Sequence, residues 1–226
     1  VSPPSLDCVI FDFDGVIVDS YDAVTGSINA ALAEHGLEQR PPERLRHYIG
    51  PPTHAAFGEL TGYGEGSAQL EEIIATYRRH YAAVYLEQTT AIDGVSDLLE
   101  TLSQTLDLAI ATSKSVLFTQ PLLDALALGQ YFAVVEAAAP DDSSDDKTAI
   151  VARALAALRA RGRSRAAMVG DRSYDIVAAR ANALVAIGVT WGIGSEQELR
   201  EAGAQLIAHA PGELAALLRR AVPDRH

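Results

Sequence analysis

The sequence predicts an α/β fold, a parallel sheet with helices packed on it, interrupted after the first strand by a small all-helical insertion. Short apolar runs alternate with helical periodicities along most of the chain, and apolar runs without polar interruption are the pattern of strands buried on both faces. From residue 20 to about residue 88 the alternation stops and only helix-like patterns remain. With 226 residues, 48% of them hydrophobic, the chain can bury a full core, as one large domain or as a domain carrying a smaller one.

The first strand is CVIF (8–11). Cys8, the single cysteine, reads there as a small buried hydrophobe; it has no intramolecular disulfide partner, in keeping with a reducing compartment. The insertion follows as AVTGSINAALAEHG, PTHAAFGELTG and AQLEEIIATYRRHYAAVY, punctuated by Pro41-Pro42, Pro51-Pro52 and the glycine-rich TGYGEG. Strands then resume as LDLAIA (106–111), FAVVEA (132–137), AAMV (166–169), LVAIGV (184–189) and QLIA (205–208). Between and after them lie the helical patterns VLFTQPLLDALAL, TAIVARALAALRA, SYDIVAARANA and ELAALLRRAV. Gly129 and Gly162 fall where left-handed C-terminal caps are expected. Ser195 with Glu198 has capping-box spacing for a further helix running toward Gly203. DDSSDD (141–146) reads as a solvated acidic loop.

No apolar run approaches the roughly 18 to 20 residues of a membrane span, and VSPPSLD has neither a basic nor an apolar leader region, so a cytoplasmic protein is expected. A formal charge of −12 argues against nucleic acid or an anionic membrane as partner. The same charge sets a condition on any anionic substrate. It must meet a local cation or a cluster of donors.

Ligands of α/β sheets gather at the carboxyl ends of the strands. After the first strand come Asp12 and Asp14; after the second, Thr112, Ser113 and Lys114; after the fourth, Gly170, Asp171 and then Asp175. Lys147 opens the helix after the third strand, an unfavourable place for a cation beside the helix dipole and therefore one that invites a functional reason. Residues two apart on a strand share a side, so Asp12 and Asp14 can face one ligand while Gly15 turns the backbone over it. Four acids gathered there repel by roughly 3 kcal/mol per pair at about 5 Å and a dielectric near 20. A bound cation offsets this, and oxygen donors without histidine or cysteine suit a hard ion such as Mg²⁺ where phosphate also binds. Lys147 and Thr112 can then serve phosphate oxygens, with Ser113 and Gly15 as further substrate-facing candidates.

FDFDGVIVDS, ATSK, Lys147 and GDRSYD, in that order, resemble the four motifs of the haloacid dehalogenase superfamily, in its phosphatase branch. From Leu106 onward the chain is most similar to phosphoglycolate phosphatase-like and 5′-nucleotidase-like members, and YIGPPTHAAF (48–57) resembles their mobile cap. The resemblance implies a Rossmann-like core of residues 1–19 and 90–226, a helical cap of residues 20–89, and hinges at residues 15–19 and about 89–94. It implies that Asp12 is the nucleophile and Asp14 the acid/base, that Thr112 and Lys147 bind phosphate, and that Lys114, which resembles a lysine at the active-site mouth of this subgroup, is a substrate-binding candidate. Asp12, the carbonyl of Asp14, Asp171 and Asp175 would form the Mg²⁺ site. The substrate implied is a small phosphomonoester, acted on by a monomer or homodimer. Close relatives often carry an arginine where this chain has Ser144. In the cap, Tyr48, His54 and Arg78 could reach a leaving group, with the histidine and the arginine expected at the surface, while Trp191 is expected in packing. Three competing readings are a 2-haloacid dehalogenase, against which Asp14 argues; a β-phosphoglucomutase-like phosphotransferase, whose cap arginine has no match in IGPPTHAAF; and a non-catalytic phosphate- or metal-binding module.

Overall fold

The structure is a computed structural model that describes residues 5–140 and 146–221. Among them, six strands form one parallel sheet: β1 (Cys8–Phe11), β4 (Asp107–Ser115), β5 (Phe132–Ala138), β6 (Ala166–Gly170), β7 (Val185–Val189) and β8 (Leu206–Ala208). They lie in the order β5-β4-β1-β6-β7-β8. In register, Cys8 to Phe11 pair with Asp107 to Ile110 on one side and with Ala166 to Val169 on the other. Phe11, Ile110 and Val169 therefore lie level, and the side chains that follow them emerge on the same edge of the sheet.

The central strands β1 and β6 are apolar and buried at every position because both faces of the sheet are covered. Val9 and Phe11 pack with α5 (Val95–Ser103), α6 (Val116–Ala125) and α10 (Pro211–Arg219), while Cys8 and Ile10 pack with α7 (Lys147–Ala160), α8 (Ser173–Ala181) and α9 (Glu196–Ala202). Each helix presents a stripe; in α5 it is Val95, Leu98, Leu99 and Leu102, all buried. Burying a side chain of this size contributes about 1.5–3 kcal/mol. Cys8 is fully buried, which pushes its thiol up to about 12 and leaves it unreactive.

The insertion has a core of its own. Val24, Ile28 and Leu32 of α1 (Tyr21–Glu34), Leu45 of α2 (Pro42–Leu45), Phe57 of α3 (Thr53–Thr61), and Leu70, Ile73, Ile74 and Tyr81 of α4 (Ala68–Gln88) form one buried cluster. Two short strands at its root have no counterpart in the sequence reading. β2 (Val18–Asp19) pairs antiparallel with β3 (Thr90–Ala91), Val18 opposite Ala91 and Asp19 opposite Thr90. Two residues are too few to show a period, so the segments that look like plain linkers are in fact one paired ribbon.

Helix ends correct two other expectations. After α6 the left-handed residue is Ala127 (φ 54°), and Gly129 belongs to a 3₁₀ turn. Leu128 donates its N–H to the Leu123 carbonyl and is buried in the core, which sets the turn one residue pair earlier than the glycine suggests. Gly162 (φ 78°) does cap α7. Ser195 accepts from Glu198 N as expected, but the Glu198 carboxylate is turned to Arg172 and Ser173 instead of back to Ser195. Residues 141–145 of the acidic run, Ser144 included, lie outside the described residues; Asp146 is the N-cap of α7, accepting from Ala149 N. Among the described residues no helix is long and apolar enough to cross a membrane.

Candidate active site

Asp12 directly follows β1, and its N–H donates to Val169 O at 2.9 Å, extending the β1–β6 ladder to the point where Asp171 leaves β6. The chain then turns tightly: Ile17 N and Val18 N donate to Phe13 O, and Gly15 N to Val18 O. Gly15 (φ 78°) meets a second demand besides the turn. A Cβ at this position would lie 2.3 Å from Asp171 Oδ2. No side chain fits between the first loop and Asp171.

Asp12, Asp171 and Asp175 are all buried, with carboxylate oxygens within 4.8 Å of one another. Lys147 reaches across, its Nζ 2.5 Å from Asp12 Oδ1 and 2.9 Å from Asp175 Oδ1. Burial alone would lower this lysine, but Asp12 and Asp175 outweigh it and hold the ammonium above its ordinary value. One ammonium among three carboxylates leaves a negative excess. Burial, and next to it the Asp175 carboxylate, push Asp12 up to about 7 despite Lys147, and burial with Asp175 and Asp12 holds Asp171 well above the usual carboxylate range. Asp171 Oδ2 accepts from Ile193 N at 2.6 Å, whereas its buried Oδ1 has no hydrogen-bond partner among the described residues. An unpartnered, buried carboxylate oxygen facing two other acids, with no nitrogen or sulfur donor in the set, fits a hard divalent cation.

Asp14 does not join this cluster through its side chain. Lys114 Nζ donates to both of its oxygens, at 2.9 and 3.0 Å, and Ser20 Oγ donates to Oδ1 at 2.5 Å. Lys114 also lies 4.8 Å over the Tyr81 ring, and although burial opposes its charge, Asp14 and Tyr81 hold its ammonium above the ordinary value. Asp12 and Asp14 thus face one cleft with separate partners.

That cleft lies between sheet and insertion. Its floor is Asp12, Asp14, Thr112, Ser113 and Lys114; its walls include Ile28, Tyr48, Phe57, Leu60, Tyr77 and Phe118, with Arg78 the cation on the insertion side. Thr112 is buried, its Oγ1 accepting from Lys114 N. Gly15 faces Asp171 and a second hollow near β2 and β3 instead of the cleft. Tyr48 and Arg78 line the cleft, Arg78 against its expected surface position, whereas His54 is paired with Glu71 at 3.3 Å. Trp191 packs against the core with its Nε1 donating to Val16 O, as its packing role predicts. Sequence reasoning missed Ser20 and Tyr81, which orient Asp14 and Lys114, and missed Arg46 and Arg172. Ser20 and Arg172 stand inside motifs already noted; Arg46 and Tyr81 carry no local signal.

The haloacid dehalogenase-like hydrolase family model matches residues 9–189. A 5′-nucleotidase of Pseudomonas aeruginosa is 32% identical over 219 residues, 96% of each chain. The tyrosine-protein kinase PtkA of Mycobacterium tuberculosis is 34% identical over 203 residues, 89% of this chain and 68% of that one. A crystal structure of a predicted phosphatase from Clostridium acetobutylicum superposes with a TM-score of 0.88 at 29% identity, over 95% of this chain and 99% of that one.

Proposed function

Because the chain belongs to the haloacid dehalogenase-like hydrolases and is a phosphatase of that family, we propose that it hydrolyses small phosphomonoesters with Mg²⁺ through a phosphorylated Asp12. The observation that carries this is the buried acid cluster around Asp12, bridged by Lys147 and still short of positive charge. Asp12, the Asp14 carbonyl, Asp171 and Asp175 are the residues that would hold the ion. Bound there, Mg²⁺ neutralises the carboxylates and the incoming phosphate.

Asp12 attacks phosphorus as the ester P–O bond breaks, and Asp14 delivers a proton to the departing alkoxide. Asp14 then takes a proton from water, whose oxygen attacks the phosphorus of the aspartyl-phosphate. Inorganic phosphate leaves and Asp12 is restored. Lys147 and the Thr112 hydroxyl stabilise phosphate oxygens, and Lys114 and Ser20 fix the direction of Asp14. Acid/base help from Asp14 contributes about 10² to 10⁴ in rate.

Residues 20–89 act as the cap on a core of residues 1–19 and 90–226. The β2–β3 ribbon is the hinge, and the apolar walls keep bulk water from the reacting atoms. Those walls, with Tyr48, Phe57, Tyr77 and Phe118, suit a leaving group bearing a flat ring, which favours a nucleoside monophosphate over phosphoglycolate or a sugar phosphate. Phosphate release from a 5′-nucleoside monophosphate, phosphoglycolate, a sugar phosphate and an aryl phosphate, with and without Mg²⁺, tests the reading; no release from any of them with Mg²⁺ would refute it. The kinship with a protein named as a tyrosine kinase suggests a second acceptor, a tyrosine hydroxyl in place of water. Labelled phosphate appearing on tyrosine instead of in solution would favour that acceptor.

A pH effect follows from the acid cluster. Asp12 is raised from an ordinary 3.8 to about 7, so the folded, ion-free protein holds protons that the unfolded chain has released. Its contribution to stability is full below pH 3.8 and is lost as the pH rises through 7. Mg²⁺ relieves the ionised cluster and so should raise the melting temperature more at pH 8 than at pH 5, by about 5 °C or more at saturating ion. Equal shifts at the two pH values would count against it, and Asp171→Asn should remove the difference.

A further inference from the structure

Lys147 spans Asp12 and Asp175, whereas among the described residues Asp171 is held through one peptide group. The N–H that meets its Oδ2 at 2.6 Å belongs to the peptide between Gly192 and Ile193. In a planar trans peptide the carbonyl points away from the N–H, and here the Gly192 carbonyl accepts from Arg46 Nη2 at 2.6 Å. The guanidinium, the peptide and the carboxylate thus form one hydrogen-bonded line. A cation on the carbonyl polarises the peptide and makes its N–H a stronger donor to Asp171. Arg46 Nε adds a bond to Ile193 O at 3.1 Å, fixing the loop at the next carbonyl as well. The loop runs close against the site, since a Cβ at Gly192 would lie 2.3 Å from Asp171 Oδ2 and 2.4 Å from Gly15 O.

Arg46 does not belong to the sheet. It follows α2 in the helical insertion, so the support for Asp171 comes from across the seam. A second arginine crosses the seam in the other direction. Arg172, next to Asp171 in the chain, donates from Nη1 to Ile49 O at 2.8 Å and to His47 O at 3.4 Å, with its Nε on Glu198 Oε1 at 3.0 Å. It thereby holds the segment that carries Arg46, and that segment continues as Tyr48, Ile49 and Gly50 into the wall of the cleft.

We infer that Arg46 is a positioning residue for the Asp171 carboxylate, so that the cation site is complete only while the insertion is docked on the sheet. The inference rests on the divalent-ion site proposed above. It makes ion binding and docking reciprocal: an ion that prefers the oriented Asp171 also favours the docked insertion.

Mg²⁺ titration of the full chain, by calorimetry and by the fluorescence of its single tryptophan, Trp191, which precedes Gly192, tests it. Arg46 is exposed and outside the buried clusters, so Arg46→Ala should fold, with an ion-free melting temperature close to that of the wild type. Its Mg²⁺ dissociation constant should rise about 10-fold, the usual effect of removing a group that orients a metal ligand. Arg46→Lys, which can still reach one carbonyl, should recover part of the loss. In the wild type Mg²⁺ should slow proteolytic cleavage at residues 89–94, and in Arg46→Ala it should do so less. Unchanged affinity in Arg46→Ala would overturn the inference and leave the phosphatase reading standing. A wild type that takes up no divalent ion would overturn the cation site and the inference together. A variant that loses melting temperature equally with and without Mg²⁺ while keeping its affinity would reduce Arg46 to a structural contact, and would overturn the inference as well.

Discussion

Asp12→Asn is expected to lower phosphate release by about 10⁴-fold or more while leaving the fold intact, since loss of a nucleophile typically costs that much even when the rest of the site survives. The amide is close in size to the carboxylate but offers no anionic oxygen to phosphorus. Its effect on stability should run the other way. Asp12 is a buried carboxylate whose ionisation is opposed by burial and by Asp175, so removing the charge relieves repulsion, and the ion-free protein at pH 8 should melt no lower than the wild type. Mg²⁺ should bind more weakly. Phosphate release, thermal melting and ion titration of one preparation check the three parts, and activity within 10-fold of the wild type would place the nucleophile elsewhere.

Lys147→Met is expected to damage both activity and stability, and the two losses can be separated by pH. The Lys147 side chain is 9% exposed and contacts Asp12 and Asp175, so a methionine of similar length fills its path but leaves the buried acids without an ammonium. Removing one partner from such a buried pair costs about 3–5 kcal/mol. The cost should be greatest at pH 8 and shrink toward pH 5, because the acids left behind can be neutralised by protons at the lower pH. Turnover should fall by about 10²- to 10³-fold even where the protein is folded, since the fixed charge that faces the phosphate is gone. Urea denaturation at the two pH values measures the first effect and phosphate release at saturating Mg²⁺ the second. A denaturation midpoint that drops equally at pH 5 and pH 8 would mean that Lys147 acts by packing and not by charge.

Much of the site was legible because its residues sit at strand ends, and strand ends show in a sequence as the place where an apolar run stops. Asp12, Thr112 and Asp171 each follow such a run, and the pairing of β1 with β4 and β6 brings them to the same edge of the sheet. The division of labour between Asp12 and Asp14 was less legible. Two-residue spacing turns both toward the cleft, but their partners, Lys147 and Lys114, are 135 and 100 residues away along the chain. The β2–β3 ribbon was hidden by its length, and the cap after α6 by the buried Leu128, whose packing decides the turn ahead of the conformational preference of Gly129. Arg78 looks like a surface residue on its own helix because a helical pattern shows which face is polar but not what that face is set against.

By itself the sequence determined the alternation of strands and helices, the helical insertion after β1, and the acids, lysines and threonine that meet at the strand ends, because each of these depends on local periodicity and on chemistry carried by neighbouring residues. Tertiary structure alone decided which acid meets which lysine, that Gly15 must lack a side chain to admit Asp171, and that Arg46 reaches the peptide holding Asp171. Those contacts join segments far apart in the chain, and hydrogen bonds and buried ion pairs are specified by distance and direction in space, which no spacing along a sequence encodes.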